Sequence, residues 1–371
     1  MTHGLQLKYS PRKSMMKISA FSSEMEGKGA YNKYATCQVE VFEKTRSNLE
    51  QAVKRLLDRL NGSKKRFTLA DLGTSQGLNS MPMIDFVLQK YEEHCKDPLE
   101  FMVYHEDQPS NDFISLFDTL HSDVSYLKKR SNAYSAVISK SFYDRLFPSN
   151  SVDHVVCYTS LQWLSHIPCT FEGNRNCHIQ SSLPPIEETN PKAAAMWKEC
   201  AQADLVRFLH LRSEELVNGG SLCATMVTPG DTPARLPEVL ANLLTKATER
   251  GLLSNDEAES FVIPSYLRTQ AEVIEAVALC PTLQLDEITE FTNDYTFKDA
   301  ASLAGFLLSI FKPCLLSCVR QGADEPFETF LARKNDVDTF LGMQLEDMIK
   351  QLPVPKIPMS YIFVACSKIS N

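Results

Sequence analysis

The chain has 371 residues, 43% of them hydrophobic and 23% charged, with 46 acidic against 38 basic side chains and a formal net charge of −8. That is an ordinary globular balance, long enough for one large domain or two with ample core. It lacks the basic footprint that a nucleic-acid partner needs, and no stretch reaches the ~18 consecutive apolar residues of a membrane-spanning helix.

The eleven cysteines include no CxxC pair, which gives no zinc-site spacing. An odd, scattered count reads as reduced thiols in a reducing compartment, so a cytoplasmic location is expected. Cys314 and Cys318 lie four apart in a helical apolar stretch and read as core packing. The opening MTHGLQLKYSPRKSMMKISAF has four basic residues and no continuous apolar run, so residues 1–23 read as a flexible lead-in and not as a secretory signal.

In chain order, Asn32 to Arg59 carries helix periodicity, with Val39, Val41, Phe42, Leu49, Val53, Leu56 and Leu57 spaced for one face. Asn61-Gly62-Ser63 ends it. FTLADLGTSQGLN, from Phe67 to Asn79, is an apolar strand running into Asp71 and a turn with Gly73 and Gly77, before a helix from Ser80 to Tyr91. LEFMVY, from Leu99 to Tyr104, is a second strand, followed by polar HEDQPSND and a helix from Phe113. AYSAVIS at 133–139 and SVDHVVCY at 151–158 are further strands, with KSFYDRLFP a loop between them.

Ala201 to Val217 is an amphipathic helix stopped by Asn218-Gly219-Gly220, and SLCATMV is the strand after it. Such alternation predicts βαβ units and a parallel sheet. Cys169 to Pro191, with Pro184-Pro185, reads as a long polar loop over the carboxyl edge of the sheet. Thr232 to Phe340 is mainly helical by pattern, and MSYIFVA, from Met359, is a final strand returning to the sheet. The expected fold class is α/β: a Rossmann-like doubly wound sheet with a mainly helical cap. The expected division is a lead-in at 1–23, a ligand-binding core at 24–230, a helical cap at 231–355 and the returning strand at 356–371.

The turn DLGTSQG matches neither GxGxxG nor GxxxxGK[ST], which removes the usual signatures for dinucleotides and triphosphates. A strand-to-helix DxGxxxG turn points to the methionyl part of S-adenosylmethionine; the plainer reading is a turn whose glycines serve geometry alone. Asp107, just past the second strand, could accept hydrogen bonds from both ribose hydroxyls, or be a surface acid. Ser141-Phe142 follows the third strand, where Phe142 could stack on an adenine or be core. Trp163, one of two tryptophans, offers a donor-only indole beside the Gln162 amide just beyond the fourth strand, or serves packing alone. These residues lie at successive strand ends, where ligands of open α/β sheets collect.

ADLGTSQGLNS, EDQPSNDF, KSFYDRLFPSNSVDHVV, TSLQWLSHIP and FLHLRSEELVNGGSL, in that order, resemble the SABATH methyltransferases, the salicylate, benzoate, jasmonate and theobromine/caffeine group. YNKYATCQ, from Tyr31 to Gln38, resembles the Y-A-x-N-S-x-x-Q element of that family, and FVIPSYLRTQAEV, from Phe261, its cap segment. The resemblance covers about residues 24 to 370. It implies a Rossmann-like fold and S-adenosylmethionine as methyl donor. By residue match, Asp71, Gly73 and Asn79 would line the methionyl end and Tyr31 the cofactor carboxylate. Asp107 would hold the ribose, and Ser141 and Phe142 the adenine. Gln38 and Trp163 would grip a substrate carboxylate, with Gln162 adding a neutral donor.

A carboxylate is already anionic at neutral pH, so no general base is expected and the named residues act by positioning alone. The resemblance implies magnesium for some members, but no acidic cluster here requires it and no metal is assigned; it also implies a homodimer. The chain departs from the family at MEGKGAY, a shortened lead-in, at Tyr34-Ala35 for Asn-Ser, at Gln108 for Leu, and at Gln162 for His. A His there is typical of carboxyl methyltransferases, whereas Gln also occurs among purine N-methyltransferases. The leading expectation is methyl transfer to a small aromatic acid of salicylate or benzoate type; the alternative is N-methylation of a heterocycle such as a xanthine. A cofactor-binding protein without activity is disfavoured because Asp71, Asp107 and Trp163 are all present, and a nicotinamide oxidoreductase because GxGxxG is lacking.

Overall fold

The computed structural model describes residues 24–60, 64–95, 100–169, 188, 190–230, 235–351 and 356–369. Expectations for the lead-in, for Asn61-Gly62-Ser63 and for most of the Cys169–Pro191 segment lie outside them. The elements before the first chain return are α1 (Ala30–Tyr34), α2 (Val39–Leu60), β1 (Arg66–Leu72), α3 (Ser80–His94), β2 (Glu100–Asp107), α4 (Phe113–His121), α5 (Tyr126–Lys129), β3 (Ala133–Ser139) and β4 (Val152–Tyr158). Then come α6 (Pro191–Glu215), β5 (Leu216–Val227), α7 (Arg235–Glu249), α8 (Asn255–Glu259), α9 (Gln270–Ala278), β6 (Leu283–Thr296), α10 (Ala300–Ser317), α11 (Phe327–Lys350) and β7 (Lys356–Lys368).

The seven strands form one sheet in the order β3-β2-β1-β4-β5-β7-β6. β3 to β5 run parallel to their neighbours, while β7 pairs antiparallel with both β5 and β6. The chain leaves β1 towards β2 and β3, then returns to place β4 on the other side of β1. That reversal opens a crevice at the carboxyl ends of β1 and β4, the place where ligands sit in open α/β sheets.

Strand periodicity sorts the core. Leu69, Val156, Cys223 and Phe363 pack on one face against α2 and α3, through Leu49, Leu56, Ile84 and Val87. Their neighbours Ala70, Val155, Leu222, Ala224, Ile362 and Val364 pack on the other against α6 and α9, through Leu205, Phe208, Val273 and Val277. A third cluster joins α7, α10 and α11 to Tyr31 and Ala35, seating the cap on the N-terminal segment. α10 is apolar and long enough to cross a membrane by composition. Its Leu303, Phe306, Leu307 and Leu315 are nevertheless buried in this third cluster, together with Cys314 and Cys318.

Five elements differ from expectation. The helix expected from Asn32 is broken: Tyr31 O accepts the Ala35 N–H, a 3₁₀ turn at Thr36–Gln38 follows, and α2 starts at Val39. The break turns Gln38 away from the α2 axis. β2 runs on through His105, Glu106 and Asp107, whose polar letters resemble a loop; His105 and Glu106 are fully buried and partnered, by Tyr126 Oη and the Gly73 N–H. α6 starts ten residues early, at Pro191 behind an Asn190 cap, and ends at Glu215. Asn218-Gly219-Gly220 therefore lies within β5, at a register shift against β4, with Gly219 at φ 76°.

The largest difference is β6, which lies inside the stretch expected to be helical cap. LQLDEITEFTNDYT is acid-rich because it is an edge strand, and charge on an edge discourages further pairing. Its Glu287 accepts from Asn48 and Arg55, and its Asp286 from Arg59, so α2 is tied to this edge by ion pairs.

Candidate active site

Eight of the ten residues singled out from sequence line one cavity of about 310 Å³: Tyr31, Gln38, Gly73, Asp107, Ser141, Phe142, Gln162 and Trp163. Asp71 and Asn79 do not line it. Asp71 is buried beneath the turn, its Oδ2 3.4 Å from His105 Nδ1. Asn79 donates from Nδ2 to Ala35 O, which fastens the end of α1 to the start of α3. The cap closes the cavity with Phe306, Ile310 and Phe311 of α10 and with Ile263 and Leu267.

The turn after β1 fixes the floor. Gly73 sits at φ 74°, and a Cβ there would lie 2.2 Å from Ser160 Oγ, so only glycine lets the β1 and β4 ends approach. Ser75 (φ 50°) and Thr159 (φ 54°) hold left-handed conformations that cost non-glycine residues ~1–2 kcal/mol. This strain marks both walls of the crevice. Ser75 donates its N–H to Asp107 Oδ2 at 2.7 Å, and Gln108 N–H bonds Oδ1 at 2.8 Å. Burial, the largest influence, raises the Asp107 carboxyl to about 6 against the pull of these two bonds. Burial likewise holds neighbouring Glu106 well above the usual carboxylate range, while its Oε2 accepts the Gly73 N–H.

At the opposite end, Gln38 has its amide oriented by two hydroxyls. Tyr31 Oη donates to Gln38 Oε1 at 2.6 Å and Thr159 Oγ1 at 3.1 Å. With the oxygen saturated, the Nε2 donors remain for a ligand. Trp163 is positioned through its backbone: its carbonyl accepts from Tyr143 Oη at 2.6 Å, and it forms a bridge to Ser265 of the cap. Flanking bonds from Leu164 N to Pro264 O and from Tyr266 N to Gln162 O clamp this loop to the cap segment. Among the described residues, no lysine or arginine lines the cavity.

Gln162 departs from expectation. Its Nε2 donates to Thr159 O at 2.5 Å, and its buried Oε1 has no partner. It offers the cavity an acceptor, not the expected donor. An orphaned buried carbonyl costs about 1–3 kcal/mol unless a ligand satisfies it. Sequence reading missed Ser75, Thr159 and Tyr143. Ser75 sits inside the glycine turn already identified; nothing in the sequence marks Thr159 or Tyr143.

The switch point between β1 and β4, the glycine floor and the acidic β2 end define a nucleoside-binding α/β enzyme of the methyltransferase type. A family model described as SAM dependent carboxyl methyltransferase matches residues 20–322, and the chain belongs to that family, the SABATH methyltransferases. The S-adenosyl-L-methionine:benzoic acid/salicylic acid carboxyl methyltransferase 2 of Petunia hybrida is 30% identical over 262 residues, 67% of this chain and 71% of that one. The 3,7-dimethylxanthine N-methyltransferase TCS1 of Camellia sinensis is 28% identical over 288 residues, 74% and 77% of the two chains. A solved loganic acid methyltransferase with SAH shares the fold, with a TM-score of 0.73 at 18% identity over 94% of this chain and 99% of that one.

The chain is thus an S-adenosylmethionine-dependent methyltransferase, and its residues fit that molecule. A carboxylate with two oriented oxygens suits a ribose diol. Ser75 Oγ is buried without a partner beside it, and the Phe142 ring lies within the same cavity.

Proposed function

We propose that the enzyme methylates the carboxylate of a small acid, giving a methyl ester. The carrying observation is the Gln38 amide, whose oxygen is saturated by Tyr31 and Thr159 so that its nitrogen is the free end. Beside it the Trp163 indole supplies a second neutral donor. S-adenosylmethionine supplies a methyl group already activated on a cationic sulfur. A carboxylate is anionic at neutral pH, so the protein needs no general base. Gln38 and Trp163 hold the anion, each bond contributing about 1.5–3 kcal/mol. The cap excludes water, and rate comes from alignment. Among the described residues lining the cavity there is no lysine or arginine, so the counter-charge is assigned to the sulfonium.

The unpartnered Gln162 carbonyl narrows the acid. It calls for a substrate carrying its own O–H or N–H near the acceptor, which favours a hydroxy acid of salicylate type over unsubstituted benzoate. The same carbonyl favours the second reading, an N–H heterocycle of xanthine type, in line with the Camellia relative. Incubation with isotope-labelled S-adenosylmethionine and a panel of benzoate, salicylate and xanthines, read by mass spectrometry, decides between them. A labelled ester supports the acid reading, with salicylate expected to exceed benzoate by about tenfold for one satisfied acceptor. A labelled xanthine and no ester overturns it. Homodimerisation belongs to the same proposal, and light scattering at a monomer mass would remove it.

Asp107 is proposed to take the ribose. The carboxylate accepts the diol hydrogens, and protonation turns one of its acceptor sites into a donor and weakens that grip. Because burial raises the Asp107 carboxyl to about 6, affinity for S-adenosylhomocysteine should be level above about pH 7 and fall as the pH drops below about 6. Calorimetric titration across that range tests it. Asp107→Asn should bind weakly and lose the slope; an unchanged slope in that variant assigns the titration elsewhere.

A further inference from the structure

Behind the Trp163 loop, three metal-ligating side chains meet that the methyl-transfer site does not use. His166 lies on that loop, next to the cavity-lining Ser165, while Cys200 and Asp204 are one turn apart on α6. Their ligand atoms all fall within 4.8 Å of one another. Cys200 Sγ is 3.7 Å from His166 Nε2 and 4.0 Å from Asp204 Oδ2. A tetrahedral zinc ion with Zn–S of ~2.3 Å and Zn–N of ~2.0–2.1 Å requires an S···N edge of ~3.6 Å. The sulfur–nitrogen spacing meets that value, and the sulfur–oxygen spacing is a few tenths of an ångström wide of it.

The donor set has a chemistry of its own. A thiolate, an imidazole and a carboxylate sum to −2, which neutralises a divalent ion. Sulfur and nitrogen ligands select zinc over magnesium or calcium. The carboxylate is also oriented from behind, since Ser165 donates its N–H to Asp204 Oδ2 at 2.8 Å and its hydroxyl to Oδ1 at 2.7 Å. Metal-bound groups are commonly held by such outer bonds. The pattern escapes sequence spacing because His166 and Cys200 are 34 residues apart.

We infer that His166, Cys200 and Asp204 bind one zinc ion, with the fourth position left to water. As the Zn–S bond forms, the thiol proton leaves to solvent. The ion joins the loop bearing Gln162 and Trp163 to α6, bracing the wall of the acceptor pocket from outside it. Arg268 is buried nearby, bonds Ala201 O and Leu161 O, and acts electrostatically on Cys200.

The test uses the full chain, loaded with zinc chloride, freed of excess metal and assayed by elemental analysis. One zinc per chain is expected. Cobalt loading should add a thiolate-to-metal charge-transfer band. Cys200→Ser should abolish the band, and His166→Ala, at an exposed position, should weaken zinc binding by at least about tenfold, as removal even of an outer-shell partner costs 10–100-fold. Circular dichroism of the metal-free variants separates lost binding from lost fold. A substoichiometric zinc content, a cobalt spectrum without the thiolate band, or zinc retained equally by both variants overturns the site.

Discussion

Trp163→Phe should lower kcat/KM for the acid substrate by about 10–10²-fold, the ~1.5–3 kcal/mol of one charge-assisted hydrogen bond to the bound anion. Phenylalanine keeps an aromatic body against the cap, so the change isolates the indole N–H. Gln38→Leu should lose a similar factor, because it removes the second donor and frees the Tyr31 and Thr159 hydroxyls that now orient the amide. Affinity for S-adenosylhomocysteine should stay within about twofold in both variants, since neither side chain is assigned to the nucleoside end. The two measurements together carry the test. Turnover lost with cofactor affinity intact supports the assignment of both donors to the acceptor. Cofactor affinity lost along with turnover moves Trp163 to the donor side and sinks the carboxylate grip.

Much of this pocket is legible in the sequence because its parts sit where strand-ending patterns are sharp. FTLADLG ends in a buried strand and a glycine, and the packing of Gly73 on Ser160 leaves no room for another residue. Asp107, Phe142 and Trp163 follow their strands closely, so the order of strands alone places them at one edge. Three features were not legible, each for a physical reason. β6 is acid-rich because it is an edge strand braced by arginines of α2, and those partners are 227 and 232 residues away. His105 and Glu106 extend β2 into what reads as a polar loop, and only burial with partners at Tyr126 and Gly73 makes that tolerable. The direction of the Gln162 amide depends on a single carbonyl, Thr159 O, released by a left-handed backbone that no residue code announces.

Arg212→Met should destabilise the fold by about 3–5 kcal/mol, the cost of leaving one partner of a buried ion pair alone. Arg212 and Glu215 are both fully buried and bonded through two contacts, at 2.7 and 3.0 Å. The pair is also the anchor of the loop that follows β3. Arg212 donates to the carbonyls of Phe142 and Asp144 at 2.8 and 2.9 Å, and Glu215 Oε1 accepts from the backbone of Leu146 and Phe147 at 2.7 and 3.1 Å. Removing the arginine therefore strands two carbonyls and leaves the Glu215 carboxylate to two backbone N–H groups and to Arg145, whose Nε lies 3.6 Å from its Oε1. The double variant Arg212→Met with Glu215→Leu should regain part of the stability, because it removes the lone buried charge. It should not regain cofactor affinity, since the 142–147 backbone still lacks its partners and Phe142 is carried on it. Denaturant midpoints beside S-adenosylhomocysteine titrations distinguish the two effects. Stability and affinity recovering together in the double variant would mean that the loop is held by its own packing and that the ion pair has no part in presenting Phe142 to the cavity.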